Sequence, residues 1–196
     1  QVSVISDEIY EDIVFDHEHV SLLNVAPDLK DRVALINGFS KGFAMTGWRL
    51  GYLAGPEELV KAVSKIQSQE TSAPSTISQA AGLAAYSGTL EEVLEMRASF
   101  KERRDFMVQE LNRIDGVSCF SPGGAFYVFP DISSYLGRKT PDGTVITDST
   151  GLCLYLLDAC GLAVVPGDAF GEPNGLRMSY AAGMDDLQEA LQRFKQ

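Results

Sequence analysis

Four apolar residues, Val93, Phe100, Met107 and Ile114, recur every seven positions along the middle of the chain. That spacing keeps one stripe of an α-helix apolar throughout, which few other backbone conformations could use. Thr89 followed by Glu92 three positions on has the form of a capping box and marks where such a helix starts. One long helix is predicted over about 90–113. The sequence texture differs on its two sides, so it is the natural division between a first part, residues 1–88, and a second part, residues 89–196, that begins with the helix itself.

Ahead of the helix, strand and helix signals alternate. "VSVIS" (2–6), "VALING" (33–38) and "WRLGYLAG" (48–55) are apolar runs bounded by polar or glycine residues and read as sheet strands. Gly55-Pro56 then opens a helix carrying Leu59, Val60, Val63 and Ile66 at helical spacing, with proline where its missing N–H costs little. A second helix follows Ser75 and ends near Gly88. This part is α/β. Beyond the long helix, "VSCF" (117–120) and "AFYVF" (125–129), joined by "SPGG", read as a hairpin. Ser149 is placed to cap a helix carrying Leu152, Tyr155, Leu156 and Ala159 and closed by Gly161. "AVV" and "LRMSY" read as strands, and a last helix over about 185–195 completes a small α+β part.

Composition narrows the partners. Lys and Arg total 16 against 27 Asp and Glu, a formal charge of −11, which repels nucleic-acid phosphates and anionic membranes over most of the surface. With 45% hydrophobic residues the chain can bury a core, and no apolar run approaches the length of a membrane span. Cys119, Cys153 and Cys160 are odd in number and lack C-x-x-C spacing, so they read as buried reduced thiols in a cytoplasmic protein. His17 and His19 lie in a polar loop with acidic neighbours and read as exposed; no metal site is expected. Gln1 leads directly into a strand, as in a piece of a longer protein.

Several polar residues sit where chemistry could use them. Asp7 directly follows the first strand, at the C-terminal end where open α/β sheets place ligand groups, and Tyr10 comes three positions later. Read alone, Asp7 is a turn or helix cap and Tyr10 a half-buried core ring. Lys41 follows the second strand among Gly38, Ser40 and Gly42, small residues that let a ligand or another backbone approach. The phosphate-loop pattern G-x-x-x-x-G-K-[ST] is absent, so by itself Lys41 reads as an ordinary exposed loop lysine. Arg49 interrupts an apolar strand pattern, and a buried guanidinium needs a phosphate or carboxylate. Arg177, on spacing alone, is a surface or edge-strand arginine. Phe126, Tyr127 and Phe129 read as core rather than as a stacking platform, and Gly123-Gly124 as a tight turn.

Taken in order, "SDEIYE", "NGFSKGFAMTGWRLGYLAGP", "GGAFYVFPDIS", "GLAVVPGDAFG" and "GLRMSYA" resemble the pyridoxal-phosphate-dependent aminotransferases of fold type I. The wording is most similar to the bacterial and plastid-type aspartate or prephenate aminotransferases. The resemblance spans the whole chain but only the C-terminal half of the family. It implies the last part of the cofactor-binding large domain, a mixed sheet with helices, followed by the small C-terminal domain. It also implies pyridoxal 5′-phosphate as cofactor, amino-acid and 2-oxo-acid substrates such as aspartate and 2-oxoglutarate, and a homodimer for the whole enzyme.

The resemblance further implies a role for each candidate. Lys41 forms the internal aldimine and then shuttles the proton; Asp7 pairs with the pyridine nitrogen; Tyr10 donates to the 3-oxygen; Arg49 holds the cofactor phosphate; Arg177 clamps the substrate α-carboxylate. Gly38 stands where some members carry a phosphate-contacting serine. The glycine-rich phosphate loop, the ring-stacking aromatic, an asparagine and the partner subunit's tyrosine all belong to the family's first half, so this chain alone is expected to be inactive. Two alternatives remain beside transamination: a carbon–sulfur lyase of the same fold, and a non-catalytic aminotransferase-like regulatory module.

Overall fold

A computed structural model describes residues 2–195. They form two compact units that divide between Arg97 and Ala98, inside the long helix.

In the first unit, β1 (Val4–Asp7), β2 (Val33–Gly38) and β3 (Gly51–Ala54) make a mixed sheet in the order β1-β2-β3. β1 and β2 are parallel, with Asp7 opposite Ile36, and β2 and β3 are antiparallel, with Gly38 opposite Gly51. The short helix α1 (Leu22–Val25) and a 3-10 turn (Pro27–Arg32) make the crossover between the parallel strands. β2 is central, and Val33, Ala34, Asn37 and Gly38 are buried along it. "VALING" therefore forms the strand its composition predicts, from its first residue to its last. Helices α2 (Glu57–Glu70) and α3 (Thr76–Ser87) follow at the expected places. The apolar stripe of α2 is there, yet no residue of that helix is buried.

Two expectations for the first unit change. The run 48–55 is a strand only from Gly51; Thr46–Trp48 is a 3-10 turn, and Arg49 takes a left-handed conformation, φ 51°. Arg49 is exposed rather than buried in a strand.

α4 (Glu91–Leu111) is the long helix, and Val93, Phe100 and Met107 of its stripe are buried as the period requires. In the second unit β4 (Tyr127–Val128), β5 (Val165–Pro166) and β6 (Leu176–Ser179) form an antiparallel sheet in the order β4-β6-β5. Helices α5 (Ser149–Cys160) and α6 (Met184–Phe194) complete it, and Met107, Leu111, Val128, Ile132, Leu156, Leu176, Tyr180 and Leu191 are buried.

The expected hairpin reduces to one antiparallel bridge, Ser118 with Asp131. On the side of Cys119 that faces away from Asp131, the Asn112 side chain satisfies its backbone at both ends, accepting from its N–H (2.9 Å) and donating to its carbonyl (2.9 Å). Similarly, α5 is capped by Asp148, whose carboxylate accepts from Gly151 N–H at 2.7 Å, and not by Ser149. Gly161 ends that helix at φ 64°, as its sequence position predicts.

Candidate active site

Because β1 and β2 run parallel, their C-terminal ends share one edge of the sheet, and the antiparallel β3 begins at that same edge. Asp7 ends β1, Tyr10 lies three residues beyond it, Lys41 three beyond the end of β2, and Arg49 two ahead of β3. Topology thus gathers four residues spread over 43 positions, 7 to 49, to one edge. Arg177 belongs to the second unit, in β6.

The loop carrying Lys41 is tied closely. Ala44 N–H donates to the Lys41 carbonyl (3.2 Å), Met45 N–H to Phe39 (3.1 Å), and Phe39 N–H to the Leu50 carbonyl (3.3 Å). Ala44 and Arg49 both hold positive φ (52° and 51°), uncommon for non-glycine residues and a mark of a loop whose conformation its surroundings dictate. An aromatic cluster braces it: Phe39 packs on Tyr86 of α3 at 4.6 Å between centroids, and Phe43 meets the same ring edge-on at 5.5 Å. Tyr86 donates to the Tyr52 hydroxyl at 3.1 Å. Burial, reinforced by that Tyr52 contact, pushes the Tyr86 phenol well above its usual range.

Polar residues fix the Asp7–Asp12 turn. Asp7 Oδ1 accepts from Ile9 N–H at 3.1 Å. Beside it Glu8 is buried, and its oxygens accept from Ser6 Oγ (3.0 Å) and Ser21 Oγ (2.9 Å) and meet His19 Nε2 at 3.0 Å. Burial alone would raise the Glu8 carboxyl, but the His19, Ser21 and Ser6 contacts outweigh it and hold the group below the usual range. His19 is itself exposed, as its polar loop predicts, and its ring reaches the buried Glu8 carboxylate. Glu8, Glu11 and His19 could each bring a ligand atom within 4.8 Å of the others, but Glu8 already spends its oxygens on this clamp.

Next along the turn, Asn37 Nδ2 of β2 donates to Glu11 Oε1 at 2.5 Å. Asp12 packs directly on Gly42, where an added Cβ would lie 2.1 Å from Asp12 Oδ2. Only glycine fits beside Lys41 without moving that carboxylate. Burial raises the Glu11 and Asp12 carboxyls above their usual range. No motif flagged these contacts, because they join residues 26 and 30 positions apart in sequence.

Arg49 Nη1 donates to the Thr46 carbonyl at 2.8 Å, which orients a guanidinium with five donors at the sheet edge. Arg177 lies in the central strand of its sheet and is half-buried, not at an edge. Its Cζ stands 4.6 Å from the Tyr127 ring centroid and 4.5 Å from that of Phe170. Tyr127 is thus a stacking platform after all, while Phe126 packs on Phe100 at 5.5 Å.

The family described as aminotransferase class I and II matches residues 1–194. The chain belongs to that family. Among class I and II aminotransferases, an aspartate aminotransferase of Pinus pinaster is 50% identical over 193 residues, covering 96% of this chain and 39% of that protein. A bifunctional aspartate aminotransferase and glutamate/aspartate-prephenate aminotransferase of Petunia hybrida is 50% identical over 197 residues, covering 98% and 41%. The crystal structure of an aspartate aminotransferase from Rhizobium meliloti superposes with a TM-score of 0.96 at 47% identity, over 99% of this chain and 49% of that one. The chain spans at most about half the length of these relatives. Their shared α/β fold, a mixed sheet with helices, is the fold found here.

Proposed function

We propose that this chain supplies the cofactor-anchoring and carboxylate-binding residues of a pyridoxal 5′-phosphate-dependent aminotransferase. The donor would be an amino acid such as aspartate and the acceptor a 2-oxo acid such as 2-oxoglutarate. The observation that carries this reading is the gathering of Asp7, Tyr10, Lys41 and Arg49 to one sheet edge, in a chain similar to named aspartate aminotransferases.

The residues fit the cofactor. An amine, a carboxylate, a phenol and a guanidinium match the aldehyde, ring nitrogen, 3-oxygen and phosphate respectively. Gly38 is needed by the sheet end itself: a Cβ there would meet Gly51 Cα and the Leu50 carbonyl at 2.9 Å, so glycine lets β3 close on β2 beside these residues. Bound pyridoxal phosphate supplies an aromatic ring that accepts the electrons released when the substrate Cα–H bond breaks. Lys41 Nζ would hold the cofactor through its aldehyde and would serve as the base that moves the substrate Cα proton. Asp7 keeps a proton on the ring nitrogen. The Tyr10 hydroxyl donates to the 3-oxygen, and Arg49 fixes the phosphate with paired, permanently charged N–H donors. Arg177 orients the substrate by its α-carboxylate. The whole enzyme is a cytoplasmic homodimer in this reading.

Borohydride reduction of the full-length protein after incubation with pyridoxal phosphate, followed by peptide mapping, tests the assignment. A label on Lys41 alone, with glutamate formed from aspartate plus 2-oxoglutarate, is the expected result. Label scattered over surface lysines would overturn it.

A further inference from the structure

We propose that Phe170 and Tyr127 form an aromatic clamp on Arg177, and that Asp168 is the positioning residue that sets the clamp. This inference rests on the reading of Arg177 as the carboxylate-binding residue. Among the described residues no carboxylate pairs with the Arg177 guanidinium and no hydrogen bond ties it; its contacts are the two rings, at 4.6 and 4.5 Å. A ring face stabilises a cation without offering an oxygen, so the guanidinium fork keeps its capacity for a bidentate carboxylate. Two rings also limit the rotamers of a long side chain, so less entropy is lost when the carboxylate arrives.

Phe170 reaches Arg177 because the loop that carries it is closed at its base. Val165 of β5 lies opposite Arg177 of β6, and Gly167 N–H donates to the Gly175 carbonyl at 2.9 Å. A Cβ on Gly167 would lie 2.0 Å from the Glu172 carbonyl oxygen, so the turn closes only around glycine. Phe129 supports Phe170 edge-on at 6.0 Å.

The remaining freedom of the turn is removed by Asp168. Its Oδ2 accepts from Ser149 Oγ at 2.8 Å and from Thr150 Oγ1 at 3.4 Å, while its own N–H donates to Ser149 Oγ at 3.3 Å. Ser149 is fully buried at the start of α5. The exchange pins the segment two residues ahead of Phe170 to a rigid helix.

The test uses the full-length holoenzyme and succinate, a dicarboxylate with no amino group to transfer, titrated calorimetrically. Phe170→Leu keeps apolar bulk but removes the ring face; its succinate Kd should rise about 2- to 5-fold, matching the loss of one ring from a half-exposed cation. Asp168→Ala should raise Kd similarly, and Asp168→Asn, whose amide oxygen still accepts from Ser149, should restore it. In turnover, KM for the amino acid should rise while kcat is held, a split that general destabilisation would not give. If Phe170→Leu and Asp168→Ala bind succinate like the wild type while Arg177→Lys binds it weakly, the clamp is wrong and the role of Arg177 stands. If Arg177→Lys also binds like the wild type, both fall.

Discussion

The two units differ in how much apolar surface they enclose. In the second, a helix stripe and an antiparallel sheet enclose a core in which Met107, Leu111, Val128, Ile132, Leu176 and Tyr180 are almost completely buried. In the first, α2 buries nothing, α3 buries only Ser78 and Gly82, and Ile5 of β1 is 73% exposed. The first unit encloses a few apolar residues, Ile13, Val33, Ala34 and Phe39, and beside them Glu8 and Asn37 are buried with hydrogen-bond partners, at the edge where Asp7 and Lys41 lie. Order in the second unit comes mainly from apolar packing, and order at the candidate edge of the first comes from hydrogen bonds and two aromatic rings on one loop.

The widest expected contrast is chemical. In the full-length protein Lys41→Ala should abolish transamination, losing on the order of 10²- to 10⁴-fold from proton transfer alone. Arg177→Lys should act mainly on amino-acid KM, because a point charge cannot reproduce a bidentate fork. Steady-state kinetics of both variants would break the comparison if Arg177→Lys lowered kcat as severely and left KM alone.

Packing gives the next contrast. Leu176→Ala, at a fully buried site, should cost about 2–5 kcal/mol in urea unfolding. Ile66→Ala, at a position 59% exposed on α2, should cost under about 0.5 kcal/mol in this chain. Equal costs would mean that α2 packs as the core does.

A smaller effect isolates the polar plan of the first unit. Glu8→Gln should destabilise by about 1–3 kcal/mol at neutral pH, by spoiling a buried, charge-assisted network. The folded Glu8 carboxyl sits below its ordinary value of 4.5, so its contribution is present above that pH and is lost as pH falls through the folded value. Unfolding curves of wild type and Glu8→Gln should therefore converge in acid; a gap unchanged by pH would assign the effect to packing instead. Least of all, alkylation by iodoacetamide at pH 8 should reach half-buried Cys160 before Cys119 and Cys153, whose burial pushes both thiols up to about 11. Simultaneous loss of all three thiols would show the second unit to be less closed than its core implies.

Much of this was legible in one dimension, and the failures have physical causes. Residues 33–38 form the strand their β-branched run predicts, because a central strand must be apolar on both faces. The long helix extends over Glu91–Leu111 against about 90–113 predicted, because period and burial agree along it. Arg49 looked like a buried strand residue because pattern alone cannot register a left-handed residue after a 3-10 turn. The hairpin at 117–129 gave way to a distant partner, since Tyr127–Val128 pair with Met178–Ser179, and the capping role of Ser149 went to Asp148, whose side chain took the Gly151 N–H.

For the candidate residues the division is sharper. The order of short motifs from Asp7 to Arg177 was enough to point to the family, since that information is local and linear. Only the tertiary structure decided that parallel pairing of β1 with β2 puts Asp7 and Lys41 at one edge, that Asp12 needs Gly42 bare, and that Tyr127 and Phe170 flank Arg177. Those facts depend on strand direction, on a turn that folds Phe170 back over seven positions, and on contacts across as many as 50, and chain entropy leaves such contacts unspecified until the whole fold closes them.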